Sequence, residues 1–496
     1  MDPAATPLNP AHCYTALLAR DARFDGQWFV GVTSTGVYCR PVCRVRTPKL
    51  ANCRFYGTAA QAEAARFRPC LKCRPELAPA PGHAVWSVMD ASRTLARQAA
   101  AWLDACDDEQ ASIEDLAAHL GVTSRHLRRI FAAEHGVTPL QYLQTRRLLL
   151  AKQLLTDTGL PVTEVAHAAG FASLRRFNAA FVEHYRLQPT ALRRAAGAGE
   201  PTAALLRLGY RPPYAVTALL EFLAARAVGG VEQVDLAGRR LRRSLSLVHA
   251  GKRHSGWLGL AFDETRHQAL IELSPGLWPA VGSLLPLLRR WLDLDAEPAR
   301  IDAALGPLAA DEPGLRLPGC LDRYELAVRA VLGQQVTVAA ARTLAERLVE
   351  RFGRPLAGAP AGAATLFPAA ETLAAAGVEQ IAELGIIRRR AETLIALARA
   401  WPTLGYARMS GSLQEAQAAL LAIPGIGPWT AHYMLMRGWS WPDVFPSGDI
   451  VLRRALSPDP RAPLPARAID AAAERFQPYR SYAVLRLWRQ ASLSKP

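Results

Sequence analysis

No stretch of the 496-residue chain approaches the length and apolarity of a membrane span, and no basic segment followed by an apolar run opens it. The first absence excludes a helical membrane protein, and the second argues against a secretory signal, so a soluble cytoplasmic protein with no membrane partner is expected. Acids are also scarce, since 43 Asp and Glu face 59 Lys and Arg for a net charge of +16. A balance of that sign fits a polyanion such as DNA, and an association with the nucleoid, although charge alone supports only non-specific attraction. Hydrophobic residues make up 50% of the chain, which excludes extensive disorder, and the abundance of Ala, Leu and Arg favours helix. At about 150 residues per domain the length points to roughly three domains.

Cysteines number only eight. Four of them form two pairs, Cys39 with Cys43 and Cys70 with Cys73, in a stretch holding nine basic residues and one acid, Glu63. Reduced thiols at this spacing match tetrahedral zinc ligation better than a disulfide framework, and one zinc ion would close a module whose own core is small. Cys13, Cys53, Cys106 and Cys320 read as buried or inert thiols. Four thiolates on a divalent ion leave net negative charge beside phosphates, which Arg40, Arg44, Arg46, Lys49, Arg54, Arg66, Arg68, Lys72 and Arg74 would offset while binding the DNA backbone. Alkylating one thiolate to a neutral thioether would remove a negative charge and strengthen DNA binding.

Small-residue, proline-containing stretches at 78–82 and 195–201 mark two boundaries. Between them a unit recurs at about 50 residues: 116–122 resembles 165–171, and Phe131 stands before Pro139 as Phe181 stands before Pro189. Each unit reads as a capped helix (Ser112 with Asp115, or Thr163 after Pro161), a glycine turn, and an Arg-rich helix, which is helix-turn-helix order. Ser124, Arg125, His126, Arg128 and Arg129, and then Ser173, Arg175, Arg176 and Asn178, are the candidate DNA-reading residues. A connecting helix over 142–155 would set the two recognition helices about one DNA turn, ~34 Å, apart, so a monomer suffices. This segment resembles the AraC-type DNA-binding domain. With Thr35-Gly36-Val37-Tyr38-Cys39-Arg40-Pro41-Val42-Cys43-Arg44 and Phe67-Arg68-Pro69-Cys70-Leu71-Lys72-Cys73 before it, the N-terminal half resembles the Ada adaptive-response family. That resemblance implies Cys39 as irreversible methyl acceptor from a DNA methylphosphotriester, Cys43, Cys70 and Cys73 as its fellow zinc ligands, and a methylated form that engages RNA polymerase at repair promoters. The family's further methyltransferase module, with a Pro-Cys-His-Arg motif, has no counterpart here, so direct repair of alkylated guanine oxygen is not expected.

Beyond 201 the pattern changes to strand-like runs at 241–248, 257–262 and 269–273 with a turn at 263–266, then to helix from about 281. Leu421-Ala422-Ile423-Pro424-Gly425-Ile426-Gly427-Pro428-Trp429-Thr430 places two glycines at a helix start, where backbone amides can face a phosphate. It resembles the helix-hairpin-helix element of base-excision glycosylases, where a monovalent cation can also sit. Asp449, 22 residues past Gly427, reads locally as a helix N-cap and, at this distance from the hairpin, as that superfamily's catalytic aspartate. An ionised carboxylate there suits the positive charge that develops on a sugar as an N-glycosidic bond breaks. The segments 222–228, 314–320, 329–336, 436–439 and 480–488 are similar to the AlkA-type family of 3-methyladenine DNA glycosylases, from about residue 205 to 496. The similarity implies Asp449 as catalytic carboxylate, Phe222, Trp429, Tyr433 and Trp488 as an aromatic base pocket, and Gln334, Gln335, Gly425 and Gly427 as DNA contacts. Trp429 occupies the place of the Schiff-base lysine of strand-cleaving relatives, so a monofunctional enzyme is expected. Gln335 falls where the family carries an apolar wedge.

The expected architecture is therefore multidomain and mainly α: a small α+β zinc module (1–80), an all-α double helix-turn-helix domain (81–197), a linker (198–204), and an α+β glycosylase with a β-rich subdomain (205–280) and a helical helix-hairpin-helix domain (281–496). The rival reading is a transcription regulator whose second half binds damaged DNA without catalysis.

Overall fold

The computed structural model describes residues 8–80, 91–105, 112–195, 204–249, 251–404, 413–459 and 462–493. In the first segment α1 (Pro10–Ala19) is capped by Asn9, whose side chain accepts from two helix-start amides. It covers a four-stranded sheet in the order β3-β1-β2-β4, built from β1 (Phe29–Val32), β2 (Val37–Cys39), β3 (Cys53–Tyr56) and β4 (Arg68–Pro69). The short helix α2 (Ala59–Ala64) precedes β4. Only β2 and β4 run parallel, and their register sets Tyr38 opposite Pro69. Two of the four cysteines are thereby brought side by side.

The next helices are α3 (Ala91–Ala105), α4 (Ile113–His119), α5 (Ser124–His135), α6 (Pro139–Asp157), α7 (Val162–Ala168), α8 (Leu174–Tyr185) and α9 (Pro189–Ala195). The α4–α5 and α7–α8 pairs are the two repeated units, turning at Gly121 and Gly170, both in the left-handed region with φ of +67° and +78°. Ser112 and Asp115 form a reciprocal capping box. The second unit departs from expectation: Thr163 lies inside α7, and Pro161 holds the N-cap without a side-chain bond. Proline already has the backbone angle for that place and lacks an amide to satisfy. At 1.5 Å per residue the 19-residue α6 spans about 28 Å between the units.

The third part opens with β5 (Ala204–Gly209) and α10 (Val216–Ala224), followed by β6 (Glu232–Asp235), β7 (Arg240–His249), β8 (Lys252–Asp263) and β9 (Gln268–Leu273). These strands make an antiparallel sheet in the order β5-β9-β8-β7-β6. Along β9 burial alternates, with Ala269, Ile271 and Leu273 turned inward, as a sheet covered on one face requires. Helices α11 (Val281–Trp291), α12 (Pro298–Leu305), α13 (Arg323–Leu332) and α14 (Val338–Phe352) follow. A two-stranded ribbon of β10 (Arg354–Pro355) and β11 (Thr365–Leu366) interrupts them before α15 (Ala370–Ala375), α16 (Val378–Ala382), α17 (Arg388–Leu404), α18 (Leu413–Leu421), α19 (Pro428–Gly438), α20 (Ile450–Ala455), α21 (Ala466–Ala473) and α22 (Arg480–Leu493). No helix among the described residues is long and apolar enough to cross a membrane.

The cores do not follow the chain's punctuation. The first helix-turn-helix unit has its own apolar cluster around Leu116, Leu127 and Phe131. The second unit shares one continuous core with the five-stranded sheet and α11, in which Phe177 and Phe181 lie with Leu206, Ile271 and Leu284. Burying each such phenylalanine stabilises the fold by about 1.5–3 kcal/mol. The remaining helices enclose a separate core that includes Val328, Leu394, Leu435 and Val484.

Polar contacts tie the zinc-type module to both neighbours. One face of α6 carries Thr145, Lys152 and Thr156 at helical spacing. Thr145 donates to Glu63 at 3.0 Å, Lys152 to Glu76 at 2.6 Å, and Arg74 to Thr156 at 2.7 Å. Arg74 and Arg207 of β5 both reach Asp157, whose side chain is fully buried. Arg211 donates to the carbonyls of Ala80 and Asp295, a further tie between the first and third parts.

Candidate metal centre and base pocket

The sulfurs of Cys39, Cys43, Cys70 and Cys73 all lie within 4.8 Å of one another. A tetrahedral zinc ion with Zn–S bonds of about 2.3 Å sets its sulfurs about 3.8 Å apart, so this donor set fits one zinc ion. Cys39 ends β2, and the Cys70 amide donates to the Tyr38 carbonyl at 3.0 Å. A turn returns Cys43 to Cys39 through its amide bond to the Arg40 carbonyl, and the Arg40 amide points at Cys73 Sγ at 3.4 Å. Cys39, Cys43 and Cys70 are buried and Cys73 is half-buried. Cys13 and Cys53 are buried and Cys320 is half-buried, while Cys106 lies outside the described residues.

Around this cluster Arg44, Arg46, Lys49, Arg54, Arg66 and Lys72 are exposed. Arg40 is not, which corrects the expectation that it binds the DNA backbone. It is 7% exposed, with its guanidinium paired to Asp25 and donating to the Cys73 carbonyl. Burial disfavours both charges, and their close pairing, with the bond to the Cys73 carbonyl, offsets that cost. Arg74 is likewise committed, to Glu76 and Asp157. The single acid of the stretch, Glu63, accepts from Tyr38 Oη and Thr145 Oγ1, and burial pushes its carboxyl up to about 8 against those bonds and the charge of Lys152.

In the paired units Arg125, Arg128, Arg129, Arg175 and Arg176 are exposed near the starts of α5 and α8. Ser124 is the first residue of α5, whose cap is Thr123. Ser173 is itself the cap of α8, its hydroxyl accepting from the Arg176 amide, so it holds the helix start.

In the third part, the hairpin between α18 and α19 is built as its glycines suggest. Gly425 has φ of +88°, and a Cβ there would meet Thr393 Oγ1 at 1.9 Å. Gly427 caps α19 ahead of Pro428, with open space beside it. Gln334 braces this hairpin, donating to the Gly425 carbonyl and to Thr430 Oγ1. Both protons of its side-chain amide are spent within the protein, while the residue itself stays half-exposed. Gln335 is exposed with φ of +55°, beside the exposed Val336.

Asp449 caps α20: Oδ1 accepts from the Val451 and Leu452 amides, and Oδ2 accepts from Trp429 Nε1 at 2.9 Å. Trp429 stacks on Tyr433 at 5.5 Å with an interplanar angle of 7°, and Tyr433 faces Trp488 at 6.2 Å. All four expected pocket aromatics, Phe222 included, are half-buried. The carboxylate thus stands at one end of a row of half-buried aromatic side chains.

Two arginines that sequence reasoning left unassigned close the other end. Arg437 lies 4.8 Å from the Phe222 ring centroid and donates to Tyr433 Oη, Pro318 O and Gly319 O. Arg226 lies over Phe222 at 3.7 Å. Burial raises the Tyr433 phenol, but Arg437 and Arg226 outweigh it and hold it at about 8. The signal was available, since Arg226 follows Phe222 and Arg437 follows Tyr433 by four residues, one helical turn in each case.

A zinc-thiolate module, paired helix-turn-helix units and a helix-hairpin-helix pocket with a carboxylate together define a multidomain DNA-acting protein. The chain matches the models described as the metal binding domain of Ada (12–76), a helix-turn-helix domain (116–195), the AlkA N-terminal domain (205–322) and the HhH-GPD superfamily base excision DNA repair protein (328–461). A Mycobacterium tuberculosis protein named probable bifunctional transcriptional activator/DNA repair enzyme AlkA is 39% identical, over 96% of this chain and 95% of its own length. The chain belongs to that family of bifunctional activator and repair proteins. DNA-3-methyladenine glycosylase 2 of Escherichia coli is 40% identical over 57% of this chain and 95% of its own length. The bifunctional transcriptional activator/DNA repair enzyme Ada of the same organism is 35% identical over 34% of this chain and 44% of its own.

Proposed function

We propose that this protein couples an alkylation sensor and promoter-binding regulator to a glycosylase for alkylated purines such as 3-methyladenine. The observation that carries the enzymatic half is the placement of Asp449, fixed by two helix-start amides and Trp429 at the mouth of the Trp429–Tyr433 stack. A flipped base stacks against these aromatic side chains, at a cost of a few kcal/mol that is least where alkylation has weakened pairing. The Asp449 carboxylate then faces the sugar, where positive charge grows as the glycosidic bond breaks, and water completes the hydrolysis. With Trp429 in place of an amine nucleophile, the reaction stops at base release without strand cleavage.

In the sensor, Cys39, Cys43, Cys70 and Cys73 would hold zinc, which keeps their sulfurs deprotonated when bound. Cys39 Sγ attacks the methyl carbon of a DNA methylphosphotriester, a sulfur–carbon bond forms, and the carbon–oxygen electron pair leaves with the phosphodiester. The resulting loss of negative charge strengthens DNA binding by the exposed arginines at 44, 46, 125, 128, 129, 175 and 176, and the bound protein recruits RNA polymerase. The functional division follows the limits 1–80, 81–197, 205–280 and 281–496.

The test is one methylated duplex on which base release and methyl transfer are measured together. Asp449→Asn should lower base release roughly a hundredfold or more while leaving methyl transfer intact. Cys39→Ala should do the reverse, and peptide mapping should place one added methyl on Cys39. Release that survives Asp449→Asn, or a methyl on Cys43, Cys70 or Cys73, would overturn the corresponding assignment.

A further inference from the structure

Asp449 stands at the end of a loop that neighbouring helices hold in stages. Its first part is tied to the start of α22: Arg480 pairs with the Asp443 carboxylate at 2.7 Å, and the Val444 amide donates to Ser481 Oγ at 3.0 Å. The last four residues, Pro446-Ser447-Gly448-Asp449, form a turn closed by the Asp449 amide on the Pro446 carbonyl at 2.9 Å. Its side-chain anchor is Ser447, whose hydroxyl donates to Asp470 Oδ1 on α21. Ile469, next to Asp470, is fully buried in the helical core and fixes α21 in turn. Burial, with the charge of Arg480, pulls the His432 imidazole of α19 below its ordinary range, against the charge of Asp470 and a bond to the Phe445 carbonyl. The helix bearing Trp429, the helix α21 and the turn before Asp449 thus meet at Asp470.

Resting on the glycosylase reading, we propose that Asp470 is a positioning residue: through Ser447 it sets the turn that aims the Asp449 carboxylate at the sugar. Oδ1 of Asp449 is spent on the Val451 and Leu452 amides, so the carboxylate turns only with its backbone. That backbone is held by α20 on one side and by the turn on the other. Between Ser447 and Asp449 stands Gly448, exposed, with open space where a Cβ would be, so the glycine itself restrains the turn little. The bond from Ser447 to Asp470 supplies the restraint that the glycine lacks. A displacement of about 1 Å at a reacting group can cost a hundredfold in rate. Positive charge arises on the sugar only as the glycosidic bond breaks, so the loss falls on the chemical step and spares duplex binding.

The test measures base release from a duplex holding one N7-methylguanine, with the full-length protein in saturating excess, so that the rate constant does not depend on the folded fraction. Asp470→Ala should slow release by about tenfold and change the duplex dissociation constant by less than about twofold. Ser447→Ala should match it, and the double variant should be no slower than either single one, since both remove the same bond. Asp470→Asn keeps an acceptor oxygen for the Ser447 hydroxyl and should restore most of the rate. A wild-type rate in Asp470→Ala, additive losses in the double variant, or no recovery with asparagine would overturn the positioning role. So would a loss carried by weaker duplex binding. A wild type that releases no N7-methylguanine would instead overturn the glycosylase reading.

Discussion

Arg40 and Arg44 stand four residues apart in the same basic stretch, yet the fold gives them opposite work. Arg40 is sealed against Asp25 and the Cys73 carbonyl, whereas Arg44 is exposed. Arg40→Ala strands a buried aspartate and should destabilise the zinc module by about 3–5 kcal/mol, read as an earlier thermal transition. Arg44→Ala should leave stability nearly unchanged and reduce the salt dependence of DNA binding by about one phosphate contact. Glu63 supplies a pH dependence. Its carboxyl is raised to about 8 in the folded chain by burial, so the folded state keeps a proton that the unfolded chain gives up near 4.5. Stability from this group is therefore complete below about 4.5 and declines as pH rises towards 8. Glu63→Gln should flatten that decline in melting curves taken across the same range; an unaltered slope would refute it.

Among the elements, the helix-hairpin-helix separates two uses of glycine. Gly425 is required by its positive φ and by Thr393, so Gly425→Ala should cost on the order of 1–3 kcal/mol and disturb Gln334 as well. Gly427 meets neither restriction, and Gly427→Ala should melt like wild type while weakening duplex binding where backbone must come close. This contrast shows what the chain made legible. Cysteine spacing, turn glycines and the Asp449 cap are local features, and the structure places them as local chemistry demands. The polar edge strand β6, Glu-Gln-Val-Asp, carries no alternating apolar pattern and was not visible in the sequence. Arg40 was misplaced because a composition rich in arginine says nothing about the distant carboxylate of Asp25. Arg226 and Arg437 carry no motif of their own, and only their place four residues after Phe222 and Tyr433 connects them to the pocket.

At the scale of the whole molecule, amphipathic helices announce that a face is buried and leave open what buries it. The second helix-turn-helix unit shares its core with the glycosylase sheet, while the first keeps its own. Hydrogen exchange should therefore find α7, α8 and β9 protected to a common free energy, with α4 and α5 opening separately and sooner. Equal protection of both units would refute this division. The charged junction of Glu76, Lys152, Arg74, Asp157 and Arg207 adds the zinc module to the same block.

That shared core makes the connection between the second helix-turn-helix unit and the five-stranded sheet a rigid strut in place of a flexible leash. α8 therefore keeps a fixed bearing on the sheet and α11, whereas the aromatic residues around Asp449 pack on the separate helical core. Lengthening the chain at 198–204 should leave that bearing untouched, because the packing holds it.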